Sequence, residues 1–103
     1  MLQEAIDFLR DNRLIDGKWT IQGERATREF SISYTYVCKA VLEPNFMGGL
    51  RLTLWWAAPD RDDDISFERG FNFTDDEIDD ITTFIAESTH NIFEHAEALD
   101  LRD

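Results

Sequence analysis

TREFSISYTYVCKAVL, residues 27–42, is the stretch on which the fold turns. Phe30, Ile32, Tyr34, Tyr36, Cys38 and Ala40 alternate with Ser31, Ser33, Thr35, Val37, Lys39 and Val41. The period is two, the signature of a β-strand with unlike faces, and the β-branched and aromatic content agrees with it. The whole run therefore reads as one long strand. After it, Pro44-Asn45 and Gly48-Gly49 bracket a loop, and Leu50, Leu52, Leu54 and Trp56 alternate with Arg51, Thr53, Trp55 and Ala57 in a second strand. These two are expected to pair as an antiparallel hairpin.

Working outward toward lower numbers, Lys18 to Gln22 alternates with Trp19 and Ile21 on one face, and Gly23-Glu24 supplies the reversal into the long strand. Leu2 to about Arg13 reads as a short amphipathic helix with Leu2, Ile6, Leu9 and Phe8 inward, and Asp16-Gly17 ends that region. Toward higher numbers, residues 59–64 form an exposed acidic turn. Ile65, Phe67, Phe71 and Phe73 then mark a further strand, interrupted at Arg69-Gly70 by a bulge.

The final element is a long helix over residues 74–99. Thr74 and Glu77 have the spacing of a capping box, with Phe73 and Ile78 placed as a hydrophobic staple. Ile78, Ile81, Ile85, Ser88, Ile92 and Leu99 form an apolar stripe, opposite Asp76, Asp80, Thr83, Glu87, Glu94 and Glu97. The expectation is thus a single α+β domain over residues 1–103: helix, four-stranded antiparallel meander, long C-terminal helix, with both helices on one face of the sheet. Adjacent Trp55 and Trp56 point to opposite sides. Val37, Val41, Trp55 and Ala57 then lie on the face away from the helices, to be covered by a loop or by another protein, including a second copy in a homodimer.

The chain carries 22 acids against 10 bases, a net charge of -12. The imbalance is confined to one part. Residues 1–59 hold seven acids and seven bases, whereas residues 60–103 hold fifteen acids against Arg61, Arg69 and Arg102. Such asymmetry argues against direct binding of nucleic acid or an anionic membrane and toward a basic protein partner. The opening residues carry acids where a signal peptide carries bases, no stretch approaches the roughly 18 apolar residues of a membrane span, and Cys38 is the lone cysteine, so a cytoplasmic protein is expected.

No catalytic, metal or cofactor motif emerges. Asp60, Asp62 and Asp64 begin like a calcium loop, but Ile65 and Phe71 stand where that loop needs Gly and Glu. Glu87 and His90 have the spacing of a di-iron ligand pair without the second pair and further Glu such a site requires. Cys38 sits within a strand pattern, and no Gly-x-Ser-x-Gly turn or phosphate loop is present.

The acidic surface itself remains. Asp75, Asp76 and Glu77 are favoured by the helix dipole, but Glu94, Glu97, Asp100 and Asp103 crowd its negative end, where each costs on the order of a few tenths of a kcal/mol. From Asp75 to Asp80 five carboxylates occupy six residues, about 9 Å of helix. That is close to the roughly one charge per 1.7 Å of duplex DNA and suggests a phosphate decoy. In size, acidity and lack of catalytic residues the chain is similar in type to immunity proteins that neutralise nuclease toxins and to small phage-encoded anti-defence inhibitors. The functional expectation is a non-enzymatic inhibitor of a basic nuclease or nucleic-acid-binding partner. Its binding residues would be Asp60, Asp62, Asp63, Asp64, Asp76, Asp80, Glu87, Glu94 and Glu97, with Trp55 or Phe46 as an aromatic anchor. The alternative is an adaptor or chaperone-like homodimer that uses the apolar sheet face.

Overall fold

The alternation over residues 27–42 does not belong to one strand. The computed structural model, which describes residues 1–101, divides it into β2 (Arg25–Ser31) and β3 (Val37–Pro44). Ser33 makes the reversal. Its Oγ accepts the N–H groups of Thr35 (3.1 Å) and Tyr36 (3.2 Å), while Ile32 N–H donates to the Tyr36 carbonyl. A serine hydroxyl that satisfies two following amides is a turn device, and it needs neither Gly nor Pro. The register explains why periodicity alone misses it. Ser31 pairs with Val37 and Phe30 with Cys38, so even-numbered residues face even-numbered residues across the hairpin and the period of two passes through the turn unbroken.

The sheet therefore has five strands, not four: β1 (Thr20–Gln22), β2, β3, β4 (Leu50–Ala57) and β5 (Asp64–Phe71), antiparallel throughout and in sequence order. β1 is shorter than the expected 18–22 strand. Trp19 is buried but precedes it, and Ile21 is exposed. β5 runs without a bulge, since Gly70 keeps its place opposite Arg51. A Cβ at Gly70 would lie 2.3 Å from Asn45 Nδ2, so a larger residue there would have to displace the Asn45 side chain.

α1 (Leu2–Asp11) buries Ala5, Ile6 and Leu9. It stops short of Arg13 because that residue takes a left-handed conformation (φ 57°), with Arg13 N–H bonded to the Arg10 carbonyl and Leu14 N–H to the Leu9 carbonyl. This is a Schellman stop with arginine where glycine is usual. At the other end, Thr74 and Glu77 form the expected capping box, and the Glu77 carboxylate also accepts Asn72 N–H at 2.7 Å. The first turn, Asp75–Glu77, is a 3₁₀ turn, after which α2 runs from Ile78 to Leu101. Its 24 residues make about 36 Å of helix.

Both helices bury their apolar stripes on the same sheet face. Leu9, Ile81, Ile92 and Ala96 join Cys38, Ala40, Leu42, Leu52, Leu54 and Trp56 in one core, with Phe71 and Phe73 closing its edge. The other face is covered largely by the chain itself. Val41 there is only 5% exposed, with Thr27 and Thr53 as cross-strand neighbours. Lys39 Nζ sits 5.6 Å from the centre of the Trp55 ring, and Arg51 pairs with Glu43 at 2.8 Å and approaches Glu68 at 3.6 Å. The stems of such long side chains lie over apolar surface while their charged ends stay in water. Val37 remains 53% exposed. No helix among the described residues is long and apolar enough to cross a membrane.

Candidate functional site

α2 positions the acidic residues because its five buried positions, Ile81, Ser88, Ile92, Ala96 and Leu99, fix its rotation on the sheet. That rotation turns Asp79, Asp80, Glu87, Glu94 and Glu97 to solvent. No Lys or Arg occurs anywhere between Ile78 and Leu101. Asp80, Glu87 and Glu97 make no hydrogen bond or ion pair among the described residues, and Glu94 meets only His90 Nε2, at 3.1 Å. The result is a helix-long face of carboxylates with almost no internal neutralisation.

The acidic loop lies at the C-terminal pole of this helix. His95 Nε2 and Asp63 Oδ1 are 2.7 Å apart, and Trp56 packs edge-on against the His95 ring, which holds the β4–β5 loop beside the last turns of α2. Tyr36 completes the junction. Its hydroxyl donates to Asp100 Oδ2, and its ring meets Trp56 and Phe93 in edge contacts. The hydrogen bond to Asp100 is the main reason the Tyr36 phenol is raised from 10.0 to about 12, with burial and the charges of Asp100 and Glu97 adding to it. Asp100 thus has a structural task that its place in the sequence does not reveal.

The expected site residues are not one patch. The loop of Asp60 to Asp64 lies at the C-terminal pole, where Asp63 meets His95 and Asp60 borders the same cleft as Leu99 and Asp100. Asp76 and Asp80 stand at the other end, with about 22 Å of helix between Asp80 and His95. Several also have internal partners: Asp63 holds His95, Asp64 accepts the Trp55 indole N–H at 3.0 Å, Asp60 meets Arg61 at 3.5 Å, and Asp76 accepts from the Thr74 hydroxyl. Trp55 is therefore secured on both sides, by Asp64 and Lys39, and Phe46 is the freer of the two candidate anchors.

The phosphate-like spacing is local. Residues 75–77 form the 3₁₀ turn, with Asp76 and Glu77 engaged in capping, whereas α2 proper has six carboxylates from Asp79 to Asp100. That is about one per 5.5 Å along the helix, sparser than the roughly 3.4 Å spacing of a single DNA strand.

Other side chains singled out in the sequence have ordinary surroundings. Cys38 is fully buried, and burial pushes its thiol up to about 11 against smaller opposing effects of the Trp55 and Lys39 backbones. His90 reaches Glu94, one turn on, not Glu87. Among the described residues no group of three or more His, Cys, Asp or Glu is arranged to hold a metal ion. A cleft of about 310 Å³ opens beside Tyr36, Trp56, Pro59 and Leu99. A wider depression of about 520 Å³ borders Ile15 and Phe30, where Arg28 is committed to the Asp16 and Glu29 carbonyls. No protein-family model, curated protein or solved structure matches this chain.

Proposed function

We propose that the chain is a non-enzymatic inhibitor or immunity-type protein, which blocks a basic nuclease or nucleic-acid-binding partner through the outward face of α2. One observation carries the reading: 24 residues of exposed-faced helix contain six acids and no Lys or Arg, with Glu94, Glu97 and Asp100 at the end where the helix dipole disfavours them. Asp100 is explained by Tyr36, and Glu94 in part by His90. Among the described residues nothing supplies a structural explanation for Glu87 and Glu97. Complementarity to a basic surface supplies one, and it would also speed association.

The spacing of these charges supports general charge complementarity more than residue-for-phosphate imitation. The adaptor reading, in which the outer sheet face is the working surface, has less support, because Val41 is already buried there and Trp55 already held.

Affinity capture from the native host separates the two. Asp80→Lys, Glu87→Lys and Glu97→Lys together are expected to abolish recovery of a basic protein while leaving the circular dichroism unchanged, and Val37→Asp is expected to have no effect. Undiminished capture by the triple variant, with loss in Val37→Asp, overturns the proposal in favour of the sheet face.

A further inference from the structure

Of eight phenylalanines, seven lie in the core or pack against it. Phe46 is 94% exposed, and the adjacent Met47 is 84% exposed. They form the tip of the β3–β4 hairpin, which is closed by residues other than themselves. Asn45 N–H donates to the Gly49 carbonyl (3.1 Å), Gly48 N–H to the Asn45 carbonyl (3.0 Å), and Asn45 Nδ2 to the Gly48 carbonyl (3.2 Å). Gly48 and Gly49 take positive φ of 101° and 70°. The base of the tip is also wedged. A Cβ on Gly49 would lie 2.5 Å from the Phe71 carbonyl oxygen and 2.7 Å from Asn72 Oδ1. Nothing in this turn needs an aromatic or a methionine at its apex, and polar residues there would leave every one of these contacts in place.

Aromatic and Met side chains are enriched in the cores of protein interfaces, and those held on a preorganised backbone lose little freedom on binding. The surroundings indicate the chemistry of the partner. Asn72, against which the tip packs, donates its backbone N–H to Glu77, so the tip lies at the N-terminal pole of α2 with Asp75, Asp76, Asp79 and Asp80. Glu4 borders the same end, across a depression it shares with Gly49 and Asn72. The cations nearby are engaged: Arg51 with Glu43, and Arg69 over the Phe71 ring at 5.3 Å.

We propose that Phe46 and Met47 are an apolar anchor that enters a nonpolar pocket rimmed by Lys or Arg on a protein partner. The inference rests on the acidic-face reading above and adds to it where the contact is centred. An anionic lipid surface does not fit, because the carboxylates at this pole repel it.

The test uses two synthetic peptides of equal positive charge, one a Leu–Lys amphipathic helix and one of Gly and Lys only, titrated into the ¹⁵N-labelled protein at low salt. The Leu–Lys peptide is expected to shift the amides of residues 45–49 together with those of residues 75–80. Phe46→Ser with Met47→Ser is expected to weaken that peptide by about tenfold or more, to leave the Gly–Lys peptide unchanged, and to leave the melting temperature unaltered. If the Leu–Lys peptide shifts only residues 80–97, or binds the double variant equally well, the anchor is wrong and the acidic-face reading survives. If neither peptide binds, both fall. Shifts at residues 45–49 that grow with protein concentration alone, or on adding phosphatidylcholine vesicles, replace the proposed occupant with a second copy or a membrane and overturn it.

Discussion

Replacing Glu97 by Lys should make this protein more stable while making it a poorer binder. Glu97 is exposed, has no cationic partner among the described residues, and lies in the last turns of α2 with Glu94 and Asp100 each three residues away. A lysine there would interact favourably with the helix terminus, by about 0.3–1 kcal/mol, and would turn like-charge neighbours into i,i+3 partners at about 0.2–0.5 kcal/mol each. Asp100 is committed to Tyr36 and Glu94 to His90, so the pair gains count at less than full value, and exposure lowers them further. The sum is about 1 kcal/mol, which for a domain of this size moves the melting temperature by roughly 4–8 °C. Thermal denaturation at 20 mM and 1 M NaCl reads the effect, and the gain should shrink at high salt, where the screening length falls to about 3 Å. A variant no more stable than wild type at low salt, or one whose gain persists at 1 M, would refute the claim that the acidic end costs the fold stability. Retention of these acids for binding would then be unsupported.

Three further outcomes follow from the geometry. The Tyr36 phenol should ionise near pH 12 when followed by ultraviolet absorbance; the stability Tyr36 lends is complete below pH 10, declines as the unfolded phenol ionises, and is gone above about 12, and Asp100→Asn should narrow that window. Cys38, buried and with its thiol raised to about 11, should resist a thiol-reactive disulfide at pH 8 in the native protein and react at once in denaturant, so rapid native labelling would contradict its position. Arg13→Gly should stabilise the domain by about 0.5–1 kcal/mol in urea denaturation, because glycine takes the left-handed stop of α1 without the cost of a side chain, and a loss of stability would mean that Arg13 makes some contact essential to the fold.

Much of the architecture was legible in the sequence. The capping box at Thr74 and Glu77, the stripe from Ile81 to Leu99, and the split between Trp55 and Trp56 are local patterns, and each stands where periodicity places it. The fifth strand was hidden for a definite reason: Ser33 turns the chain without a Gly or Pro marker, and the even register across that turn preserves the alternation. The end of α1 was similarly obscured by an arginine in a glycine's conformation. At the site, the acidic face was readable from composition. The internal duties of Asp63, Asp64 and Asp100 were not, since His95, Trp55 and Tyr36 reach them only through the fold. Ser33 is the one of these with a usable sequence signal, a serine two and three residues before amides that need an acceptor.

The most direct measurement is the affinity of the captured partner for the intact protein as a function of salt. The account predicts a basic protein whose dissociation constant rises steeply from 50 to 500 mM NaCl, with a shallower slope for the triple variant at Asp80, Glu87 and Glu97. A partner of neutral or acidic charge, or a dissociation constant indifferent to salt, would contradict it.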